Sequence, residues 1–160
     1  MSEANYAGND HYGRRVYLTF CSDFEQVVGI EPPQAPFVLF IGGDSSGESV
    51  EVLFSCAENA LEKGAVYVLC WGPGAARLEE IVDEAFVARS MPDELPTVMT
   101  TSHEGESLQE ALAFAATYAQ PVAAYANDCR TSVVVIVGNL QWYNEAQNCM
   151  EDLLTTSLPE

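Results

Sequence analysis

The sequence predicts an α/β protein, a three-layer α/β/α sandwich with a mostly parallel sheet of about five strands. Three observations favour this fold class. Short apolar runs alternate with segments of helical periodicity. Residues 37–41 and 65–71 are apolar at successive positions, which is typical of strands covered on both faces. Polar or glycine-rich turns directly follow the strands, as in Rossmann-like and flavodoxin-like sheets.

The N-terminal part of the chain contains one strand and a long connection. Residues 1–13 are polar, which predicts a flexible N-terminal tail before a single α/β domain at 14–160. The β-branched and aromatic residues at 16–20 predict the first strand. The prolines that end the 22–36 segment predict a connection with at most one helical turn.

Two strand–turn–helix units follow. The strand at 37–41 ends in the glycine-rich turn 42–47, and apolar residues then recur at helical spacing between 50 and 61. The strand at 65–71 ends in Gly-Pro-Gly, and a second helix has its apolar positions between 78 and 86. The order of these elements favours parallel strands joined by helices.

The C-terminal half repeats this alternation. A short strand is predicted at 97–100, a helix at 106–119, a strongly β-branched strand at 131–137 and a closing helix around 146–154. Two segments lack periodicity and are predicted to be connections, 91–96 and 121–130.

Charge is the most extreme property of the composition. The chain has 24 acidic and 6 basic residues, a formal net charge of −18. Such a surface repels nucleic acid and anionic membranes, because phosphate contacts require cations on the protein. Three interpretations remain open: solubility, adaptation to high salt, or complementarity to a basic partner protein.

Other features of the composition point to the cytoplasm. No apolar run reaches the roughly 18 residues of a membrane helix, and the N-terminus lacks the basic and apolar regions of a secretory signal. The five cysteines are odd in number and contain no C-x-x-C pair, which predicts buried free thiols. We expect no metal and no cofactor.

A binding site, if present, is expected at the carboxyl ends of the strands. Ligands bind there in open parallel sheets, where the strand order reverses. The rule selects the loops at 42–47, 71–74, 100–104 and 138–142. The candidate ligand-binding residues in them are Gly43, Asp44, Ser45, Ser46, Trp71, Thr101, Ser102, His103 and Asn139.

The segment at 42–49, GGDSSGES, invites comparison with phosphate-binding loops. It places backbone N–H groups before a helix, but it lacks the Gly-Lys-Ser/Thr ending, and Asp44 and Glu48 add negative charge. The alternative is a capped turn, with Ser45 and Glu48 as a capping box.

The candidate catalytic residues are His103, Glu104 and Asp44. A histidine beside carboxylates can act as a general base. The sequence contains no His-Glu-x-x-His motif, and we lean away from an enzyme. Helix capping is the alternative role, since Thr101 with Glu104 and Ser107 with Glu110 both fit capping boxes.

Two sequence blocks resemble a known family. Cys70-Trp71-Gly72-Pro73 is followed by Ile-Val-Asp-Glu at 81–84, and Val-Met-Thr-Thr-x-His-Glu at 98–104 leads into Glu-Ser-Leu-x-Glu-Ala-Leu at 106–112. The pattern resembles an uncharacterised family of small bacterial α/β proteins, a domain of unknown function, over residues 16–140. Ser102 stands where the family pattern has an aromatic residue. The resemblance implies a bacterial, cytosolic α/β domain and no catalytic residue.

Two functions follow as expectations. The first is a non-catalytic acidic binding protein of the bacterial cytosol, such as an immunity or inhibitor protein that masks a basic partner surface. The alternative is a small-molecule or nucleotide-related ligand-binding domain, or a hydrolase, with its site at the carboxyl ends of the strands. The sequence leaves the oligomeric state open.

Overall fold

The fold is an α/β sandwich built on one six-stranded sheet. A computed structural model describes residues 4–90 and 95–155. Its elements are β1 (Asn5–Asn9), β2 (Arg15–Cys21), α1 (Phe24–Val27), β3 (Phe37–Gly42), α2 (Val50–Glu62), β4 (Ala65–Trp71), α3 (Ala75–Ser90), β5 (Met99–Ser102), α4 (Leu108–Thr117), α5 (Ala123–Ala126), β6 (Thr131–Val137) and α6 (Leu140–Leu153).

The sheet has the strand order β1-β2-β6-β3-β4-β5. β1 is antiparallel to β2, and every other neighbouring pair is parallel. β3 and β6 occupy the centre, and all residues of both strands are buried. The predicted mostly parallel sheet is therefore confirmed, with one strand more than expected.

Helices cover both faces of the sheet. Side chains of β3 show the two layers, since Leu39 and Ile41 pack with α1, α2 and α3, whereas Val38 and Phe40 pack with α4 and α6. The apolar runs in the sequence arise because alternate side chains on these strands enter different cores. Within residues 4–90 and 95–155, no helix combines the length and apolar character needed to cross a membrane.

The expected N-terminal tail at 1–13 is wrong for the part of it that the structure describes. Residues 5–9 form β1 and pair with β2. The turn between them is fixed by Asp10, whose carboxylate accepts hydrogen bonds from Arg14 Nε (2.8 Å) and from the amides of Tyr12 and Arg14 (2.9 and 3.0 Å). Asp10 and Arg14 are both buried. The sequence of β1, NYAGN, contains two asparagines and a glycine, which are uncommon in strands, so it leaves little strand pattern to read.

Smaller differences concern element boundaries. β5 begins two residues later than predicted, α5 lies in the segment expected to be irregular, and α6 begins at Leu140. The early start of α6 is explained by Asn139, whose side chain accepts a hydrogen bond from the Trp142 amide (2.9 Å). Part of the predicted connection at 91–96 lies outside the described residues.

The five cysteines are free thiols, as predicted. Four are buried, and Cys149 is half-buried. Burial raises the pKa of Cys21 to about 11 and that of Cys56 to about 12. Both groups are therefore neutral thiols near pH 7, where their nucleophilic thiolate form is scarce.

Candidate functional site

The strand order creates two regions where neighbouring strands send their chains to opposite faces. In the first, β2 and β3 lead into α1 and α2 on one face, while β6, which lies between them, leads into α6 on the other. β4 leads into α3, while its neighbour β5 leads into α4 on the opposite face. Both are switch points of the kind that hold ligands in open α/β sheets.

The switch point between β3 and β6 is an open groove of about 270 Å³. Asp44 and Asn139, two of the predicted binding residues, line it together with Trp142. Hydrogen bonds from the Ser46 hydroxyl and amide hold the pKa of Asp44 below its ordinary value. The other residues of the groove are Ser22, Asp23, Phe24, Glu48, Val137 and Gly138. Its three carboxylates would repel a phosphate or nucleotide.

The glycine-rich turn does not present its amides as a phosphate cradle. Three of its N–H groups, and that of Glu48 directly after it, already donate within the protein. The pairs are Gly43 to Trp71 O (3.1 Å), Ser45 to Pro73 O (2.9 Å), Ser46 to Asp44 Oδ1 (3.0 Å) and Glu48 to Ser45 O (3.1 Å). The capped-turn interpretation fits this arrangement, but its predicted cap is wrong, because Ser49 caps α2 through the Val52 amide (3.2 Å).

The turns after β3 and β4 are packed against each other. A Cβ added at Gly72 would lie 2.2 Å from the Gly43 carbonyl oxygen, and one at Gly74 would lie 2.6 Å from the Ser46 amide nitrogen. Arg77 reinforces the contact by donating to the Ser45 carbonyl. These glycines therefore bring two backbones together, a role that leaves no room for a ligand between them.

At the switch point between β4 and β5, polar side chains make hydrogen bonds within the protein. The Glu104 carboxylate accepts a hydrogen bond from the Ala76 amide (3.0 Å) at the beginning of α3. Glu104 therefore caps α3, and the predicted capping box with Thr101 is wrong. On the other face, Trp71 donates from its indole nitrogen to the Glu106 carbonyl (2.8 Å) and packs edge-on against Trp142 at 4.8 Å.

His103 is a buried link between β5 and α4. Its Nε2 lies 2.9 Å from Thr101 Oγ1, its Nδ1 lies 3.1 Å from a Glu106 carboxylate oxygen, and its ring packs on Phe114 at 4.7 Å. Hydroxyl, imidazole and carboxylate are thus in the order used by nucleophilic hydrolases. His103 is only 4% exposed.

A hydrolase also needs space for a substrate beside its hydroxyl. Neither Thr101 nor His103 is among the residues that line five grooves on the described part of the molecule. Sequence reasoning did not identify Glu106 as the partner of His103. The signal that could have identified it is the spacing of three residues between the two, directly before a helix.

The predicted site residues are consequently dispersed. Asp44 and Asn139 share the groove between β3 and β6, whereas Glu104 caps α3 and His103 is buried against α4. Gly43, Ser45 and Ser46 hold the packed turn, Trp71 is in the core, Thr101 contacts His103, and Ser102 ends β5.

An acidic cluster lies beside β5. Thr100 Oγ1 lies 3.1 Å from a Glu79 carboxylate oxygen and 2.7 Å from one of Asp83. Glu79 and Asp83 are four residues apart and so lie on one face of α3. No group of three or more potential metal ligands is present among the described residues.

A larger groove, of about 570 Å³, lies at the amino ends of the strands. Its apolar lining includes Phe86, Val98 and Tyr125. None of the predicted site residues lies in it.

The fold and these sites define an acidic, three-layer α/β protein whose candidate catalytic groups do not converge. The chain belongs to the family described as a domain of unknown function (DUF7684), whose model matches residues 18–153. No curated protein matches the chain.

Proposed function

We propose that this protein is a non-catalytic acidic binding protein that masks a basic surface of a partner protein, in the manner of an immunity or inhibitor protein of the bacterial cytosol. The observation that carries the proposal is a carboxylate surface on α3 and the loop after β5, which is exposed except at the half-buried Glu79. We call it the α3 acidic face. It consists of Glu79, Glu80, Asp83, Glu84 and Glu104.

The scarcity of available cations supports the proposal. Arg14 is buried against Asp10 (2.8 Å), and Lys63 pairs with Glu31 (3.0 Å). Arg77 donates to backbone carbonyls of the turn before α2. Half of the 6 basic residues are therefore engaged within the protein, which leaves most of the 24 acidic residues uncompensated. A basic protein would be attracted over a Debye length, about 8 Å at physiological ionic strength.

The arrangement of the candidate catalytic groups also supports a binding role. A general base must reach the proton of a bound substrate. His103 is buried among side chains of its own protein, and Glu104 is used in capping. Each group thus has a structural role that requires no substrate.

The test is to capture proteins from the host lysate with this protein as bait, at about 0.1 M and about 1 M salt. The Debye length falls from ~10 Å to ~3 Å between these two concentrations. Three baits are compared: the unchanged protein, a variant with Glu80→Gln and Glu84→Gln, and a matched control with Glu58→Gln and Glu145→Gln. All four glutamates are exposed, so both variants lose equal charge.

We expect a basic protein that binds the unchanged bait and the control, binds the α3 variant less, and dissociates at the higher salt. A partner held equally by all three baits and at both salt concentrations would contradict the proposal.

The groove between β3 and β6 supports a second candidate function, a small-molecule binding domain. Asp44, Asn139 and Trp142 provide a carboxylate, an amide and an aromatic surface there. Because Asp23 and Glu48 also line the groove, the ligand would be neutral or cationic. Native mass spectrometry of the protein purified from its host would detect it as a retained mass, absent from an Asp44→Ala variant.

A further inference from the structure

The outer edge of β5 is not paired with any described strand. β5 is the last strand of the sheet, and within residues 4–90 and 95–155 it pairs only with β4. Its four residues span about 13 Å. An open strand edge is a template for an additional strand.

The direction of the backbone groups at this edge follows from one hydrogen bond. The His103 amide donates to the Cys70 carbonyl on β4 (2.8 Å). Successive residues of a strand direct their N–H and C=O groups to alternate edges, so those of Ser102 and Thr100 point away from β4. The edge therefore offers two donors and two acceptors to an incoming strand.

Carboxylates flank the edge on its α3 side. Glu79 and Asp83 approach the Thr100 side chain, and the Glu104 carboxylate lies at the first turn of α3. An incoming strand would direct every second side chain toward this side of the sheet. Lysine or arginine at those positions would meet the three carboxylates.

We propose that the edge of β5 is the docking site for the basic partner, and that an extended basic segment of that partner adds to the sheet as a seventh strand. The inference rests on the proposed function and identifies its binding surface. Main-chain hydrogen bonds would supply affinity, and alternate cationic side chains would supply specificity, as in other cases of strand addition.

The same charges argue against a second copy of this chain as the occupant. Two β5 edges brought together would place the carboxylates of both copies side by side, and like charges in strand contact repel. Acidic side chains at an edge protect it against self-association while leaving it open to a basic strand.

The test uses a blocked synthetic peptide of about eight residues that alternates lysine and threonine, long enough to pair with all of β5. A matched peptide carries N-methyl groups on the amides of its pairing edge, so its charge is equal but its donors are removed. Binding is followed through the backbone amide signals of Thr100 and Ser102 in NMR spectra, at low and high salt.

We expect the unmethylated peptide to shift both signals and slow their hydrogen exchange, and methylation to weaken binding about tenfold or more, since several hydrogen bonds are lost. Ser102→Pro removes an outward donor without removing a bond to β4, and should also weaken binding. Should that variant fail to fold, the methylated peptide still tests the inference on the unchanged protein.

Different failures distinguish the inference from the proposed function. If both peptides bind equally and their binding weakens with salt, strand addition is overturned, but the proposed binding of a basic partner is not. Binding that is salt-insensitive and unchanged by Glu79→Gln with Asp83→Asn would contradict both. Protection of the Thr100 and Ser102 amides in the free protein, or no binding of either peptide, would overturn the edge as the docking site.

Discussion

At the scale of single residues, glycines control how closely the turns after β3 and β4 approach. Gly72 has φ of +107°, and an added Cβ would collide with the Gly43 carbonyl. Gly105 has φ of +88° but open space around it, and Gly47 has neither constraint. Substitutions at these three positions can therefore distinguish the cost of backbone strain from the cost of steric collision.

Alanine substitutions at the three positions should therefore differ in a fixed order. We expect Gly72→Ala to lower the free energy of unfolding by about 2 to 5 kcal/mol, through both strain and overpacking. Gly105→Ala should cost about 1 to 2 kcal/mol, through φ alone, and Gly47→Ala should have an effect below about 1 kcal/mol. Urea unfolding measures all three, and a Gly72 variant as stable as the Gly47 variant would contradict the close approach.

Asp10 is the second residue at which a substitution should strongly lower the free energy of unfolding. Asp10→Ala leaves the buried Arg14 guanidinium unpaired and removes the acceptor of two amides. Breaking a buried pair in this way costs about 3 to 5 kcal/mol. Thermal or urea unfolding should show the loss, together with faster hydrogen exchange in β1.

Glu58→Ala provides the control for Asp10, because Glu58 is exposed on α2. Its effect should stay within about 0.5 kcal/mol. Equal stabilities for the two variants would mean that the ion pair does not fix the turn between β1 and β2.

At the scale of elements, the capping box of α4 links stability to pH. Ser107 Oγ accepts from the Glu110 amide and Glu110 accepts from the Ser107 amide, both at 3.0 Å. The hydrogen bond from the Ser107 backbone, followed by that from its side chain, lowers the pKa of Glu110 from 4.5. The stabilisation is therefore complete above pH 4.5 and is lost as the pH falls through the lower folded-state pKa.

Glu110→Gln should consequently be less stable than the unchanged protein near neutral pH, and the two should converge in acid. Urea unfolding at a series of pH values below about 7 measures the difference. Glu58→Gln, which removes an exposed carboxylate from α2, should show no comparable convergence. If Glu110→Gln is less stable than the unchanged protein by the same amount at every pH in this range, the link between the capping box and pH is excluded.

The central strands and the cap of α4 could be predicted because the sequence patterns that specify them are local. β3, β4 and β6 are continuous apolar runs, and Ser107 with Glu110 is a sequence-adjacent cap. β1 could not be found in this way, because its sequence NYAGN has no apolar run, and its strand conformation depends on pairing with β2 and on the bridge from Asn9 to Thr155.

The candidate site was predictable only to the level of loops. Asp44 and Asn139, which the rule for parallel sheets selected, line one groove at the carboxyl ends of the strands. The rule could not show that Glu104 would cap α3, because that contact joins residues 28 positions apart. The open edge of β5 likewise depends on the strand order, which no local pattern specifies.

At the scale of the whole molecule, the net charge of −18 opposes the compact state through self-repulsion. Folding brings the carboxylates closer together than they are in the unfolded chain. Because added salt screens this repulsion, we expect the melting temperature to rise as sodium chloride increases from about 0.01 M to about 0.5 M.

A variant with Glu80→Lys and Glu84→Lys tests whether the rise comes from the net charge. Both side chains are exposed, and the substitutions replace negative charges with positive ones on α3. Its melting temperature should be higher than that of the unchanged protein at low salt and should depend less on salt, because there is less repulsion to screen. Equal salt dependence in the two proteins would instead indicate a general effect of the salt on apolar burial, which acts without regard to charge. The same variant should lose the basic partner, so one pair of substitutions would raise stability and weaken binding, as expected if the acidic surface is kept for association at a cost to the fold.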